Sequence, residues 1–178
     1  MAMLMPLLLL MVLGVVEISY ALLDQHVVAK LSREGSNLIS RDTTLLDSAT
    51  ALRSMSQAPV NFTSGRSTVI FSVIRRGSTT GTANYDKDIL YQRYVYGTFS
   101  ATSTLATRGT GSYGGAPNFE ANNADSDSNL QITNLPTNFQ TIGGMTYVTE
   151  IFTNHTLLTP LDRFGVTVPN RLYSIAYF

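Results

Sequence analysis

The sequence contains no cysteine and no tryptophan, and only 13% of its 178 residues are charged. The absence of cysteine excludes a disulfide scaffold, a cysteine-ligated zinc site, a c-type haem attachment site and a cysteine nucleophile. The 12 basic and 12 acidic residues give a formal net charge of zero. That balance argues against a nucleic-acid-binding surface, which needs clustered Lys and Arg. Ser, Thr, Asn and Gly supply the remaining polar surface, and a neutral surface tolerates close packing between identical copies.

An apolar run occupies the beginning of the chain. Residues 1–23 carry one charged side chain, Glu17, and the first basic residue is Lys30. A stretch of about 20 apolar residues is long enough to cross a bilayer as a helix. A secretory signal peptide would instead require a basic beginning and a small-residue cleavage site, and neither pattern is present. We therefore predict a membrane-spanning helix in which Glu17 marks a functional position, because a charge in hydrocarbon is costly.

The spacing of apolar residues predicts helices first and strands afterwards. We expect one long helix over residues 2–40, and a second helix, or its continuation after a kink, over 41–57. After Pro59 the pattern becomes that of β-strands, joined by turn-rich connections. The predicted strands are 67–75, 89–99, 144–153, 166–168 and 171–178, with a turn or short helix start at 159–162.

These elements define the predicted fold class. We expect an α+β protein in which a long N-terminal apolar helix is followed by a small antiparallel β-sheet domain. The division places a helical membrane and assembly segment at residues 1–58 and a β-rich, surface-exposed domain at residues 59–178.

The N-terminal helix resembles that of a known family. Residues 6–40 run from a proline through a Leu-rich stretch to Gly-x-x-Glu and then to an Arg-Glu-Gly step, which is similar to TadE-like pseudopilins of tight-adherence pilus systems. The matching residues, in order, are Pro6, Gly14, Glu17, Arg33, Glu34 and Gly35. Residues 145–178 resemble the closing strands of that family. Family members usually carry a further acid before the Leu-rich stretch, where this chain has Met-Ala-Met, so a processed product and a different export signal both stay open.

The resemblance implies a pilin-like subunit, either major or minor. Such a subunit waits in the inner membrane, is extracted by the pilus assembly machinery, and joins an extracellular helical filament of identical copies through its N-terminal helix. The β-rich domain then coats a filament used for attachment. No cofactor and no nucleic-acid partner is expected. The alternative is a monomeric inner-membrane-anchored envelope domain, or a minor or priming pseudopilin that binds a partner.

Several residues of the N-terminal helix are candidates for assembly. Glu17 would need a partner in a filament core, because burying an unpaired carboxylate is costly. Lys30 and Arg33 lie too far from Glu17 to pair within one helix, but a staggered neighbour would bring them close. The alternative is that these two charges fix orientation at the membrane surface. Small residues permit close helix contact. The candidate set is Pro6, Gly14, Glu17, Lys30, Arg33 and Gly35.

The start of a calcium loop occurs later in the chain. Asp125, Asp127 and Asn129 form a D-x-D-x-N pattern. The sixth and twelfth positions are Leu130 and Pro136 instead of Gly and Glu, which excludes an EF-hand. We expect an Asx-rich turn here and keep a looser calcium site as the alternative.

Two sequences fit the acceptor pattern for N-glycosylation, and they begin at Asn61 and Asn154. The pattern is short and common, and we expect both sites to stay bare in a bacterial exported protein. The two histidines, His26 and His155, form no recognisable set with a nucleophile. No catalytic group can therefore be assembled, and we do not predict an enzyme.

Overall fold

The computed structural model describes residues 4–136, 139–159 and 170–178. Two helices precede one antiparallel sheet with the strand order β2-β1-β3-β4. The elements are α1 (Leu4–Ile39), α2 (Leu45–Met55), β1 (Ser67–Arg76), β2 (Asp88–Gly97), β3 (Met145–Asn154) and β4 (Arg171–Tyr177). The predicted α+β architecture is confirmed. The strand predicted at 166–168 and most of the turn predicted at 159–162 lie outside the described residues.

Helix α1 has two different environments along its length. From Leu4 to Val16 no side chain is buried, and Met5 is 74% exposed. From Val28 to Ile39 one face of the helix is buried against the rest of the protein. An 18-residue window of α1 has a mean hydropathy of 2.2 and is only 6% buried. The helix is therefore long and apolar enough to cross a membrane, and its second half belongs to the folded domain.

Small residues allow α1 to approach the sheet closely. A Cβ atom on Gly35 would lie 2.6 Å from Cγ2 of Thr149, so only glycine fits there without a shift of its neighbour. The hydroxyl of Ser36 donates to the carbonyl oxygen of Ala176 at 2.9 Å. Because Ala176 belongs to β4, the last strand in the order of the described sheet, this bond ties α1 to that side of the sheet.

Thr44 caps the beginning of helix α2. The backbone N–H of Asp47 donates to Oγ1 of Thr44 at 3.1 Å, which satisfies one of the unpaired donors of the first turn. Leu45, Ala49 and Leu52 are buried on the other side of α2. These side chains join one apolar cluster with residues of α1 and of the sheet, so both helices pack on the same core.

The alternation of side chains gives the sheet two different faces. The pairs Val69–Ile151 and Phe71–Thr149 point towards the helices. The pair between them, Ile70 and Glu150, lies on the opposite face. A β-bulge in the β1–β2 pairing, between Val73 and Ile74, shifts the register of the two strands.

A buried carboxylate fastens the loop after β2 to this opposite face. Glu150 is fully buried and accepts hydrogen bonds from the backbone N–H of Thr104 at 2.8 Å and its hydroxyl at 2.7 Å. The hydroxyls of Ser103 and Tyr173 also donate to it. Burial and the negative charge of Glu150 raise the pKa of Tyr173 to about 12. The phenol therefore stays a donor, and the cluster serves the fold.

Candidate functional site

Two carboxylates lie on one face of α1. Glu17 and Asp24 are seven residues apart, which is close to two helical turns and about 10 Å along the axis. Strand β3 ends at Asn154, and the next residue, His155, lies between the two carboxylates. The end of one strand therefore supplies the group that bridges both acids.

The imidazole of His155 contacts one carboxylate with each ring nitrogen. Nδ1 lies 2.6 Å from Oδ2 of Asp24, and Nε2 lies 3.0 Å from Oε1 of Glu17. Carboxylates accept hydrogen bonds, so both ring nitrogens must donate at the same time. When both carboxylates are ionised, only the doubly protonated, positively charged imidazole can do this, and the raised pKa of His155 favours that form.

The loop that follows His155 completes the surroundings of Glu17. Its carboxylate accepts the backbone N–H groups of Leu158, at 3.1 Å, and of Thr159, at 2.9 Å. The hydroxyl of Thr159 donates to it at 2.7 Å. Glu17 is fully buried, and its charge is met by an imidazolium and three neutral donors. We call Glu17, Asp24, His155, Leu158 and Thr159 the helix latch, because they join α1 to the end of β3.

The latch is expected to weaken at alkaline pH. Burial alone lowers the pKa of His155, but the hydrogen bonds and charges of Asp24 and Glu17 outweigh burial and raise it. Because the folded pKa lies above the unfolded value of about 6.5, this stabilisation is complete below that pH and is lost as the pH rises through the folded pKa. Thermal unfolding of the full chain in detergent micelles, measured from slightly acid to alkaline pH, tests this expectation.

The matched variant for that measurement is His155→Gln, which cannot become positively charged. The melting temperature of the wild-type chain should fall relative to that of the variant as the pH rises above the ordinary histidine range. Parallel curves for the two chains would show that the charge of His155 does not stabilise the latch. His26→Gln serves as the control, because His26 is exposed on α1 and lies outside the latch.

The interactions of the latch hold α1 in place against the domain. The described residues place no hydroxyl within hydrogen-bond distance of the His155 ring, since both of its nitrogens bind carboxylates. The hydroxyl of Thr159 donates to Glu17 instead. Over the described ranges there is also no group of three His, Asp or Glu side chains that would hold a metal ion. What the arrangement does is hold a charged position of an apolar helix against a folded domain.

The other assembly candidates occupy three different surroundings. Pro6 is exposed in the first described turn of α1, and Gly14 has no atom within 4 Å of the position that a Cβ would take. Lys30 and Arg33 are exposed further along the same helix. Gly35 is buried against the sheet of its own chain. The structure therefore does not bring the candidate residues together within one copy.

The residues of the calcium pattern have partners within the protein. A carboxylate oxygen of Asp125 lies 2.7 Å from Nη2 of Arg75, and Thr79 donates to its other oxygen at 3.0 Å. Asp127 caps the short 3-10 helix Ser128–Leu130 by accepting the backbone N–H of Asn129 at 3.0 Å. This is the hydrogen bonding of an Asx turn.

The two glycosylation candidates differ in exposure. Asn61 is exposed, and its side-chain oxygen accepts hydrogen bonds from the backbone N–H groups of Thr63 and Ser64. Asn154 is half-buried at the end of β3. Of the two, Asn61 has the more accessible position.

Sequence reasoning identified Glu17 and missed its partners. An acid in an apolar helix requires a partner, but the contact with His155 spans 138 residues of sequence. The available signal was that His155 is one of only two histidines and comes soon after the strand predicted at 144–153. Asp24 and Thr159 belong to residue types that are frequent along this chain, and nothing in their local sequence distinguishes them.

Comparison with known proteins supports the resemblance over the first part of the chain. The N-terminal segment is TadE-like, because the family model described as TadE-like protein matches residues 1–37. This range includes all six candidate residues of the helix, and it ends before α2 and the sheet. No curated protein and no solved structure matches the chain.

Proposed function

We propose that this chain is a pilin-like subunit of a tight-adherence pilus. Helix α1 holds the subunit in the inner membrane, and the same helix then packs with those of other copies in an extracellular filament used for attachment. The match of residues 1–37 to the TadE-like family supports the link to such pili.

The observation that carries this proposal is the exposed apolar half of α1. Between Leu4 and Val16 no side chain is buried, and such a surface must be covered by lipid or by other helices. Helices in lipid gain little hydrophobic free energy when they associate, so close packing at small residues decides which surfaces pair. Gly14 offers a neighbouring helix such a place, because a Cβ built on it would meet nothing within 4 Å apart from its chain neighbours and the local helix backbone.

Charge pairing between copies depends on the state of the helix latch. Lys30 and Arg33 lie about 20 and 24 Å along α1 from Glu17. A neighbour displaced by one of these distances brings its basic side chain to the level of the carboxylate. Because Glu17 is fully buried by its own domain, that pairing requires the Leu158–Thr159 segment to move away.

The closed latch favours a second candidate function. A subunit whose only intramembrane acid is neutralised internally needs no neighbour for it. The chain would then be a minor or priming pseudopilin, or a monomeric membrane-anchored domain, that presents its sheet and loops to another envelope protein. Both functions share the same anchored state and differ in whether α1 contacts identical helices.

Cross-linking from α1 distinguishes the two functions. A photoreactive residue at Val12, which is 60% exposed, should give cross-linked oligomers of this chain in sheared extracellular fibres. The same residue at the fully buried Val28 is the control and should give none. Electron microscopy and mass spectrometry of the fibres then establish whether they consist of this chain.

The proteins that cross-link to Val12 decide between the two functions. If the chain stays in membrane fractions and Val12 cross-links only to other proteins, the filament proposal is wrong and the minor or anchored function is supported. If Val12 cross-links to identical chains within fibres, the monomeric alternative is wrong.

A further inference from the structure

One end of the sheet lies beside the apolar part of α1. The register pairs Ser67 with Thr153 and Asn154 with Arg171, so the start of β1, the end of β3 and the start of β4 share this end. From there the chain continues into the loop that reaches Glu17. We call this the latch end of the sheet.

A cleft of about 760 Å³ separates the latch end from α1. Tyr20 and Asp24 line it on the helix. Arg53, from the last turn of α2, and Arg66, just before β1, line it on the domain. The cleft is open to solvent and has room for a small polar group.

The charges around the cleft are unbalanced. Arg53 donates to the hydroxyl of Tyr96 at 3.3 Å, and Arg66 donates to the hydroxyl of Thr156 at 2.9 Å. Both partners are neutral, and no described carboxylate forms an ion pair with either guanidinium. The carboxylate of Asp24 also lines the cleft, but His155 binds it at 2.6 Å. The single imidazolium of His155 offsets only one of the two carboxylates of the latch, so with the two guanidinium groups these residues carry a net charge of one positive unit.

The opposite end of the sheet shows that this imbalance is local. There Arg75 lies 2.7 Å from Asp125, and Arg76 lies 2.8 Å from Asp86. The arginines at that end are thus balanced within the protein, whereas those of the cleft can receive an anion from outside.

The position of the cleft relative to α1 indicates where that anion comes from. No side chain of α1 is buried from Leu4 to Val16, whereas Leu158 and Thr159 of the domain cover Glu17, so lipid can surround α1 only up to about Val16. Tyr20 and Asp24 then lie where the helix enters the headgroup layer, and tyrosine is enriched at that depth. Leu22 and Leu23 are also exposed in this part of α1.

We propose that the cleft between α1 and the latch end binds the phosphate of an anionic phospholipid headgroup through Arg53 and Arg66. This inference rests on the membrane-anchored stage of the proposed function. The bound lipid would hold the domain upright against the bilayer before assembly, and the site would empty when the subunit leaves the membrane.

Lipid retention by the full chain tests the proposal. The protein is reconstituted in bilayers that contain equal amounts of phosphatidylglycerol and phosphatidylcholine, extracted in mild detergent, and examined by native mass spectrometry. The wild-type chain should retain phosphatidylglycerol in preference to phosphatidylcholine. The double variant Arg53→Gln/Arg66→Gln should lose about twenty-five-fold in this preference, because each basic residue near an anionic surface contributes roughly a factor of five.

The control variant is Arg108→Gln, which removes one positive charge near the opposite end of the sheet. Arg108 is placed there because its backbone N–H donates to the carbonyl oxygen of Gln131, which pairs with Ile89 at the start of β2. It should behave as wild type.

Equal retention by the double variant, equal retention of the two lipids, or displacement of the lipid by inorganic phosphate would each overturn the headgroup site. Circular dichroism confirms that the variants are folded. Failure of the wild-type chain to insert into bilayers at all would instead contradict the anchored stage, so the two failures are distinguishable.

Discussion

Replacing Glu17 by alanine is expected to release the loop after β3 from α1 and to abolish filament assembly, while the sheet stays folded. The substitution leaves the Nε2–H of His155, the hydroxyl of Thr159 and two backbone N–H groups without their acceptor. Breaking a buried ion pair in this way costs about 3–5 kcal/mol. The loop can avoid that cost by opening to solvent. Hydrogen exchange should therefore become faster at Leu158 and Thr159 and stay slow in β1 and β3.

The yield of sheared fibres provides the second readout of Glu17→Ala. Glu34→Ala is the matched control, because it removes the same charge from the same helix outside the latch. Unchanged exchange at Leu158 and Thr159 would show that the latch does not hold the loop. An open loop together with a normal fibre yield would remove Glu17 from the assembly mechanism and leave it a purely intramolecular role.

Local patterns in the sequence were sufficient to predict the elements of the fold. The long helix, the second helix and the four described strands follow from apolar spacing and turn residues, which act over short distances along the chain. The bulge in the β1–β2 pairing was not predictable, because it depends on how two strands align. The role of Gly35 was also not visible, since a small residue in an apolar helix serves equally well against a neighbouring copy and against its own sheet.

The candidate site was predictable only in part, and for a physical reason. The cost of a charge in hydrocarbon identifies Glu17 from sequence alone. The same reasoning requires a partner but does not say which one, because desolvation is a property of the buried group and not of its neighbour. His155 becomes that partner only through the length and direction of β3, which carries it back to α1.

Replacing Gly35 by valine is expected to detach the second half of α1 from the sheet. Any Cβ at this position would lie 2.6 Å from Cγ2 and 2.9 Å from Oγ1 of Thr149. Thr149 is β-branched and fully buried within β3, so it cannot turn aside easily. Overpacking of this kind costs about 1–3 kcal/mol. The melting temperature of the full chain in detergent micelles should fall, and the hydrogen bond from Ser36 to Ala176 should be lost.

Two further variants separate this clash from the general effect of removing a glycine. Gly14→Val makes the same change in the same helix where no atom lies within 4 Å, so the stability of the single subunit should change by less than about 0.5 kcal/mol. Thr149→Ala removes the two atoms that the new side chain meets first, and combining it with Gly35→Val should restore part of the lost stability. If Gly35→Val unfolds no more easily than Gly14→Val, the close contact with Thr149 does not govern docking. Gly35 would then be free to act at a helix contact between copies, as the resemblance to TadE-like pseudopilins implies.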